Sequence, residues 1–305
     1  MTKILNSKPI IALIVSFVFL PATTFAAVLY LEPSAGEYHQ GDAFMVDIRV
    51  DTTEECINAV EAYLSFSPQA LEAVDFSQGS SMLAVWLTSP KINQEEGTIS
   101  FSGGIPGGYC GVLPGDPGKS NLLGRVAFRA KKTNQARVAA VKFSDDSQVL
   151  LHDGAGTLAD LVLRGAEFTI LSGVSKEPIS EWQAELEKDD IFPESFKVEI
   201  NRDPSIFDGQ YFITFNTTDK QTGIDYYEVK EGRGEWRRAV SPYLLEDQSL
   251  KGIIKVKAVD KAGNERIAEY GAKKPLPYWI VIVVVIIGGI IWWIKRKSRI
   301  KNEKF

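Results

Sequence analysis

The sequence is poor in the residues that bind soft metals and activate nucleophiles. Its 305 residues include only two cysteines and two histidines. Zinc and iron–sulfur sites need about four such ligands, so metal catalysis of that kind is excluded and no cofactor is indicated. The chain also has no long amphipathic helical pattern, whereas 45% apolar and 24% charged residues are typical of a globular protein. The length predicts two domains.

Positive charge is scarce in the body of the chain. The formal net charge is −5, and the two basic ends carry +2 and +5, which leaves −12 for residues 27–277. Nucleic-acid phosphates bind basic surfaces, so this acidic body argues against a nucleic-acid partner.

The first 26 residues are typical of a secretory signal peptide. Two lysines precede an uncharged apolar segment, residues 10–20, and small residues follow as far as Ala26. The apolar segment is about half as long as the roughly 20 residues that a membrane helix needs. We therefore predict a signal peptide over residues 1–26 that is cleaved after Ala26, with an uncleaved anchor as the alternative.

A second apolar segment lies near the carboxyl end. Residues 276–294 carry no charge, are rich in Ile and Val, and have aromatic residues near both ends. This pattern predicts a transmembrane helix, with a buried core helix as the alternative. Six basic residues follow within 295–305, against two just before the segment, so the positive-inside rule places this tail in the cytoplasm. The body of the chain is then extracytoplasmic and held by a single membrane span.

Outside the cytoplasm a disulfide persists, and Cys56 and Cys110 are the only thiols in the chain. We predict that they pair, and closing a loop of this length stabilises the fold by about 4 kcal/mol in the chain-entropy model. The alternative, a reactive cysteine, needs a histidine partner. The sequence places neither His39 nor His152 beside a thiol.

Two regions show the period-two alternation of β-strands, broken about every ten residues by turn formers. Residues 27–171 form the larger region, in which apolar residues 44, 46, 48 and 50 face the core and residues 45, 47, 49 and 51 face water. Residues 196–270 suit a smaller sandwich of seven strands. Between them, residues 172–195 read as a linker with one or two helical turns, beginning at a capping-box pattern on Ser180.

The ordered motifs of the first region resemble cohesin domains. Gly41-Asp42 opens an alternating strand, residues 58–66 run into Ser67-Pro68, and segments 99–104 and 166–170 follow in order. Ser67 stands where the family usually has Asp. The resemblance covers about 145 residues and implies a jelly-roll sandwich, grouped with carbohydrate-binding modules, that binds polysaccharide or a dockerin-like protein. The second region resembles a bacterial immunoglobulin-like or fibronectin-type module, most clearly in residues 255–264, and such modules usually act as spacers.

Alternation also predicts a ligand-binding face. In cohesins the corresponding strands lie in one sheet that presents the partner-binding surface. Tyrosine and arginine are enriched at binding hot spots, and aromatic rings stack on sugars. The alternative is an ordinary solvated sheet face. The candidate residues, all outward by alternation, are Glu61, Tyr63, Ser100, Ser102, Arg125 and Arg129.

Other chemistries find little support. Asp145, Asp146 and Asp153 suit calcium but lack the twelve-residue loop pattern, so no metal site is predicted. No carboxyl pair stands out for glycoside hydrolysis, and no serine-hydrolase elbow occurs, so the chain is not expected to be an enzyme. The glycine run 103–108 reads as a flexible connection, or else as a binding loop. Trp86, Tyr226, Tyr227 and Trp236 read as packing residues, although the last three could contact a ligand.

Together these patterns predict an all-β, membrane-anchored extracytoplasmic binding protein. Its cohesin-like module would recognise polysaccharide or a dockerin-like protein, and a glycan ligand would place it in polysaccharide catabolism. The alternative is a structural protein of the cell envelope whose sandwiches associate with copies of themselves.

Overall fold

The computed structural model describes residues 27–52, 55–111, 120–271 and 286–292. β-strands are the predominant element in these residues, which confirms the all-β prediction. Twelve strands lie in residues 27–174 and seven more in residues 199–270, and one short helix lies between the two groups.

The first group is a sandwich of two sheets. In chain order its strands are β1 Ala27–Glu32, β2 Ala35–Gln40, β3 Ala43–Asp51, β4 Ile57–Phe66, β5 Leu71–Ser77, β6 Val85–Asn93, β7 Thr98–Tyr109, β8 Leu122–Ala130, β9 Arg137–Phe143, β10 Gln148–Leu151, β11 Leu161–Arg164 and β12 Ala166–Val174. The five-stranded sheet has the order β11-β1-β3-β8-β5. The seven-stranded sheet has the order β2-β12-β9-β4-β7-β6, and β10 also pairs with β4.

The core lies between these two sheets. Phe44 and Phe128 from the five-stranded sheet, with Phe101 and Phe168 from the seven-stranded sheet, are almost fully buried. The alternation predicted for β3 is confirmed with one correction, because Arg49 was placed on the wet face and is only 6% exposed. Ion pairs to Glu32 and Asp47 and a hydrogen bond to Asn121 compensate its charge.

The glycine run 103–108 is not a flexible connection. It forms the second half of β7, which pairs with β4 on one side and with β6 on the other. A Cβ atom on Gly103 would lie 2.8 Å from the carbonyl oxygen of Val85, so glycine permits the close approach of β6. Strand β6 itself was missed by the sequence analysis.

The segment predicted as a linker packs on the first sandwich. Helix α1, Glu181–Lys188, has about two turns and lies against β3. The Glu181 carboxylate accepts the N–H of Met45 at 2.7 Å, and Trp182 is only 7% exposed. Ser180 bridges to Ala43 just before the helix. Residues 179–188 are therefore held against the five-stranded sheet, whereas residues 189–194 bond to the second group of strands, as in the hydrogen bonds from Asn264 to the carbonyl groups of Asp189 and Ile191.

The second group has two small sheets. Its strands are β13 Glu199–Asp203, β14 Ile206–Thr214, β15 Ile224–Glu231, β16 Arg237–Ala239, β17 Tyr243–Leu244, β18 Ile254–Asp260 and β19 Glu265–Tyr270. The sheet orders are β13-β14-β17 and β16-β15-β18-β19. Seven strands in two sheets suit a small sandwich, and its immunoglobulin-like kinship stays a prediction.

The aromatic residues of this second sandwich differ in environment. Tyr227 is a core residue, because its ring packs on Phe196 and Phe215 and its hydroxyl donates to the Thr217 carbonyl. Burial raises the pKa of Tyr227. Trp236 is half-buried, with the Lys257 ammonium 5.0 Å from its ring centre.

Among the described residues, no helix is long and apolar enough to cross a membrane. Within the predicted span 276–294 only residues 286–292 are described, and they are helical. The rest of that span, the signal segment 1–26 and the basic tail 295–305 lie outside the described residues, so these assignments stay predictions.

Candidate functional site

Tyr63 stands near the centre of the outer face of the seven-stranded sheet. It lies on β4 and is 37% exposed. The strand register places Ser100 of β7 beside it and Lys91 of β6 beyond Ser100. Glu61, two residues earlier on β4, lies opposite Ser102. Four of the six predicted binding residues are therefore neighbours on one surface, which we call the Tyr63 face and define as Glu61, Tyr63, Ser65, Lys91, Ser100 and Ser102.

Short side chains surround the aromatic ring of the Tyr63 face. The neighbours of Tyr63 along β4 and across β7 on this side are mainly serine and threonine, whose side chains are short. The backbone beneath the ring is fixed by the turn before β10. Tyr63 donates its N–H to the Ser147 hydroxyl at 3.1 Å, and its carbonyl accepts the Ser144 N–H at 2.8 Å. The ring is thus presented from a firmly held strand.

A short hydrogen bond orients the Tyr63 ring. The hydroxyl of Tyr63 donates to Oε1 of Glu61 at 2.5 Å. This hydrogen bond is the main reason why the pKa of Tyr63 is raised, and the negative charges of Glu61 and Asp146 act in the same direction. The phenol therefore stays neutral at physiological pH, and the face offers an aromatic ring beside a carboxylate and an ammonium.

The structure separates Arg125 and Arg129 from this face, so the expectation of a single binding sheet was wrong. Both lie on β8, which pairs with β3 and β5 in the other sheet. Arg125 is held by Asp47 at 3.2 Å and by Glu185 of α1 at 3.1 Å. Arg129 pairs with Glu72 at 3.1 Å on the surface. Alternation separates inward from outward residues but does not assign a strand to a sheet.

The predicted disulfide between Cys56 and Cys110 is confirmed, with an S–S distance of 2.05 Å. Cys56 immediately precedes β4, and Cys110 immediately follows β7. The adjacent residues Ile57 and Tyr109 are paired in the register of these two strands. The bond therefore links the two central strands of the Tyr63 face at one end.

A cleft, separate from the Tyr63 face, lies between the two sandwiches. This cleft has a volume of about 920 Å³, and Trp86 and Tyr226 are among the residues that line it. Trp86 packs against Phe76 and Phe101 of the core, as predicted for a packing residue, but it also lines the cleft. The Arg238 guanidinium stacks 4.0 Å from the Tyr226 ring centre. Sequence reasoning missed the cleft, because its two walls come from different sandwiches.

The acidic residues first considered for calcium are not gathered around a common point. Within the described ranges, Asp145, Asp146 and Asp153 do not form a group whose oxygen atoms could share an ion. Asp153 instead accepts the N–H of Ala155 at 2.8 Å in a tight turn. Hydrogen bonds, chiefly from Thr157, lower the pKa of its carboxyl.

Comparison with known proteins gives matches in structure. No protein-family model and no curated protein matches the chain. A type I cohesin–dockerin complex from Clostridium thermocellum is 13% identical, with a TM-score of 0.39 over 49% of this chain and 96% of that chain. A non-cellulosomal cohesin from Archaeoglobus fulgidus is 20% identical, with a TM-score of 0.37 over 50% of this chain and 92% of that chain.

A further similar structure is the cohesin module of a family 33 glycoside hydrolase from Clostridium perfringens. It is 14% identical, with a TM-score of 0.35 over 50% of this chain and all of that chain. These structural neighbours are modules of the family that the sequence motifs resemble. Each of the three aligns with about half of this chain.

Proposed function

We propose that this chain is a membrane-anchored, extracytoplasmic binding protein whose first sandwich docks a dockerin-like protein on the Tyr63 face. The observation that carries the proposal is a partly exposed tyrosine, hydrogen-bonded in place, near the centre of a polar sheet surface. Tyrosine supplies a large contact area at low entropic cost, and binding energy concentrates on such central anchors.

The surroundings of Tyr63 suit a protein partner. Short hydroxyl side chains let another surface approach closely and can exchange hydrogen bonds with it. Glu61 and Lys91 place opposite charges near the ring, and charge patterns of this kind select one partner over others. The outer face of a sheet also suits another folded protein better than a single sugar chain, since small ligands are usually held in clefts.

Anchoring rests on the two ends of the sequence. The apolar segment 276–294 and the basic tail after it support a single membrane span with the tail inside. The Cys56–Cys110 disulfide supports an oxidising compartment for the body. The second sandwich then holds the binding module away from the membrane.

Polysaccharide is the second candidate ligand, and the cleft favours it. Trp86 and Tyr226 line that cleft from opposite sandwiches. Aromatic rings stack on sugar faces, and Arg238 beside Tyr226 can donate hydrogen bonds to hydroxyl groups. A glycan would therefore bind at the junction rather than on the Tyr63 face.

Capture by the immobilised, oxidised full chain tests these proposals. The bait is incubated with a surface extract of the cells that produce it, and retained protein and glycan are both identified. We expect the bait to retain one discrete protein. Tyr63→Ala should raise the dissociation constant for this protein about 30-fold, which corresponds to a loss of about 2 kcal/mol in binding free energy, as expected for a central anchor. Arg129→Ala, an exposed change on the opposite face, is the matched control and should bind like the wild type.

Other results would favour other functions. Retention of polysaccharide alone, lost in a Trp86→Ala/Tyr226→Ala variant, would replace the protein partner with a glycan. A chain that retains neither but sediments as an oligomer would support the structural role in the envelope. Equal binding by Tyr63→Ala and the wild type would remove the Tyr63 face from the proposal.

A further inference from the structure

Three aspartates meet where the helical segment joins the second sandwich. Asp189 immediately follows α1, Asp219 lies in the connection between β14 and β15, and Asp260 ends β18. They are 8%, 2% and 1% exposed. One carboxylate oxygen from each lies within 4.8 Å of the others.

The negative charge of this cluster is not balanced by nearby side chains. None of the three carboxylates forms an ion pair with a cation in the part of the chain that the structure describes. Each aspartate has a lysine next to it in sequence. Lys188 is exposed to solvent, Lys261 pairs with Asp75 at 2.6 Å, and Lys220 pairs with Glu194 at 2.7 Å. Buried charges are normally paired or bound to a metal, so this cluster needs a positive partner.

Hydrogen bonds account for all but one of the carboxylate oxygens. Asp189 accepts from Ile191 and Thr222, and Asp260 accepts twice from Asn264. Asp219 accepts three backbone N–H groups on Oδ1, from Gln221, Thr222 and Gly223, at 2.9 to 3.0 Å. Its Oδ2 is buried and has no hydrogen-bond partner. A fully buried carboxylate oxygen without a donor points to a ligand that is neither a side chain nor the backbone.

The spacing of the three carboxylates has an electrostatic consequence. Their oxygen atoms lie within 4.8 Å of one another, so the groups repel when they are charged. A cation between them would remove that repulsion.

We propose that Asp189, Asp219 and Asp260 bind a calcium ion. Calcium prefers hard oxygen ligands at about 2.3 to 2.6 Å, so two ligands of one ion are up to about 5 Å apart, which agrees with the observed spacing. The site is buried, and the three carboxylates supply part of the set of about six to eight oxygen ligands that calcium takes. Magnesium, which keeps several of its waters, suits such a site less well.

The position of this site gives the ion a structural role. The loop 219–223 is held against the first sandwich, because the Ser77 hydroxyl donates to the Thr222 carbonyl at 2.8 Å. A Cβ atom on Gly79 would lie 2.0 Å from the Gln221 carbonyl oxygen, so the two backbones touch. An ion that fixes Asp219 to the end of α1 and to β18 would therefore stabilise the relative orientation of the two sandwiches.

Calorimetric titration tests the proposal directly. The full chain is stripped with a chelator, titrated with calcium chloride and then with magnesium chloride, and melted in the presence and absence of each ion. We expect one bound calcium ion, a higher Tm with calcium, and weaker binding of magnesium. Asp219→Asn, which keeps the acceptor for the three N–H groups, should weaken calcium binding at least about tenfold. Asp203→Asn, which changes an exposed carboxylate at the turn between β13 and β14 and removes no proposed ligand, should bind calcium like the wild type.

The melting curves add a second signature. In chelator, Asp219→Asn should melt at or above the wild-type temperature, because it removes one of three repelling charges; in calcium it should melt below. A wild-type chain that binds no calcium overturns the proposal, and so does an Asp219→Asn chain that binds calcium as tightly as the wild type. Should Asp219→Asn fail to fold, Asp260→Asn is titrated in its place, with the same two outcomes.

Discussion

The two outer faces of the first sandwich differ in what covers them. On the five-stranded sheet, α1 packs against β3, buries Trp182 and engages Arg125 through Glu185. On the seven-stranded sheet, Tyr63 and its serine neighbours remain open. The alternation of polar and apolar residues is similar in both sheets. The covering segment lies outside the strands, and it leaves one face available for binding while the other contributes to stability.

The largest expected effect comes from the bond that links the strands of the open face. Replacing Cys56 and Cys110 together by alanine should lower the free energy of unfolding by about 4 kcal/mol, because a loop of 54 residues is no longer closed in the unfolded chain. Urea denaturation of the variant and of the oxidised wild type measures the difference. A loss below about 1 kcal/mol would mean that strand pairing alone holds β4 to β7.

On the covered face, Trp182→Ala should lower the free energy of unfolding by about 3 kcal/mol, as expected for a large buried side chain. Phe192→Ala is the matched control, since this aromatic residue lies in the same segment but is 54% exposed. Phe192→Ala should lower the free energy of unfolding by less than about 1 kcal/mol. Equal losses in the two variants would show that α1 does not depend on burial of Trp182, and the contrast between the two faces would weaken.

The smallest effect concerns the hydroxyl of Tyr63. Glu61→Gln should lower the pKa of Tyr63 towards its ordinary value, because the charged carboxylate that accepts the hydrogen bond of the phenol is removed. Absorbance of the phenolate during an alkaline titration measures this, after comparison with Tyr63→Phe to assign the signal. Glu72→Gln on the opposite face should leave the titration unchanged.

The same variant should change how stability depends on pH. In the wild type the pKa of Tyr63 is raised on folding, so its contribution to stability is present below the unfolded-state pKa and is lost as the pH rises through the folded-state pKa. In Glu61→Gln that alkaline loss should shrink. If the variant loses as much stability at alkaline pH as the wild type does, another tyrosine is the cause of that loss.

The strands with regular alternation could be predicted from the sequence. Residues of β3 and β4 alternate strictly enough to give both the strand and its buried side. Strand β6 could not be predicted in this way, because two register shifts interrupt its pairing with β7. Pro90 also lies within it, which an edge strand tolerates but a sequence pattern does not reveal.

The binding face was predicted in part. Glu61, Tyr63, Ser100 and Ser102 lie together because β4 and β7 pair directly. Arg125 and Arg129 were misplaced, since the sheet to which a strand belongs depends on long-range pairing that local alternation does not encode. The aspartate cluster was missed for a related reason. Its members are separated by about 30 and about 41 residues and meet only when the loops of the second sandwich close.

Parallel pairing at the start of the chain has a consequence for folding. Strand β1 pairs with the distant β11 but also with β3, which follows it closely, whereas β2 pairs with β12, whose residues lie more than a hundred positions later. Within the described strands, β2 has no other sheet neighbour. Contacts of such high sequence separation slow folding, and unpaired strand edges invite association with other chains. In a growing chain the edge of β2 therefore stays unpaired until β12 has been made, at about residue 174. A chaperone that holds unfolded chains would help most during that interval.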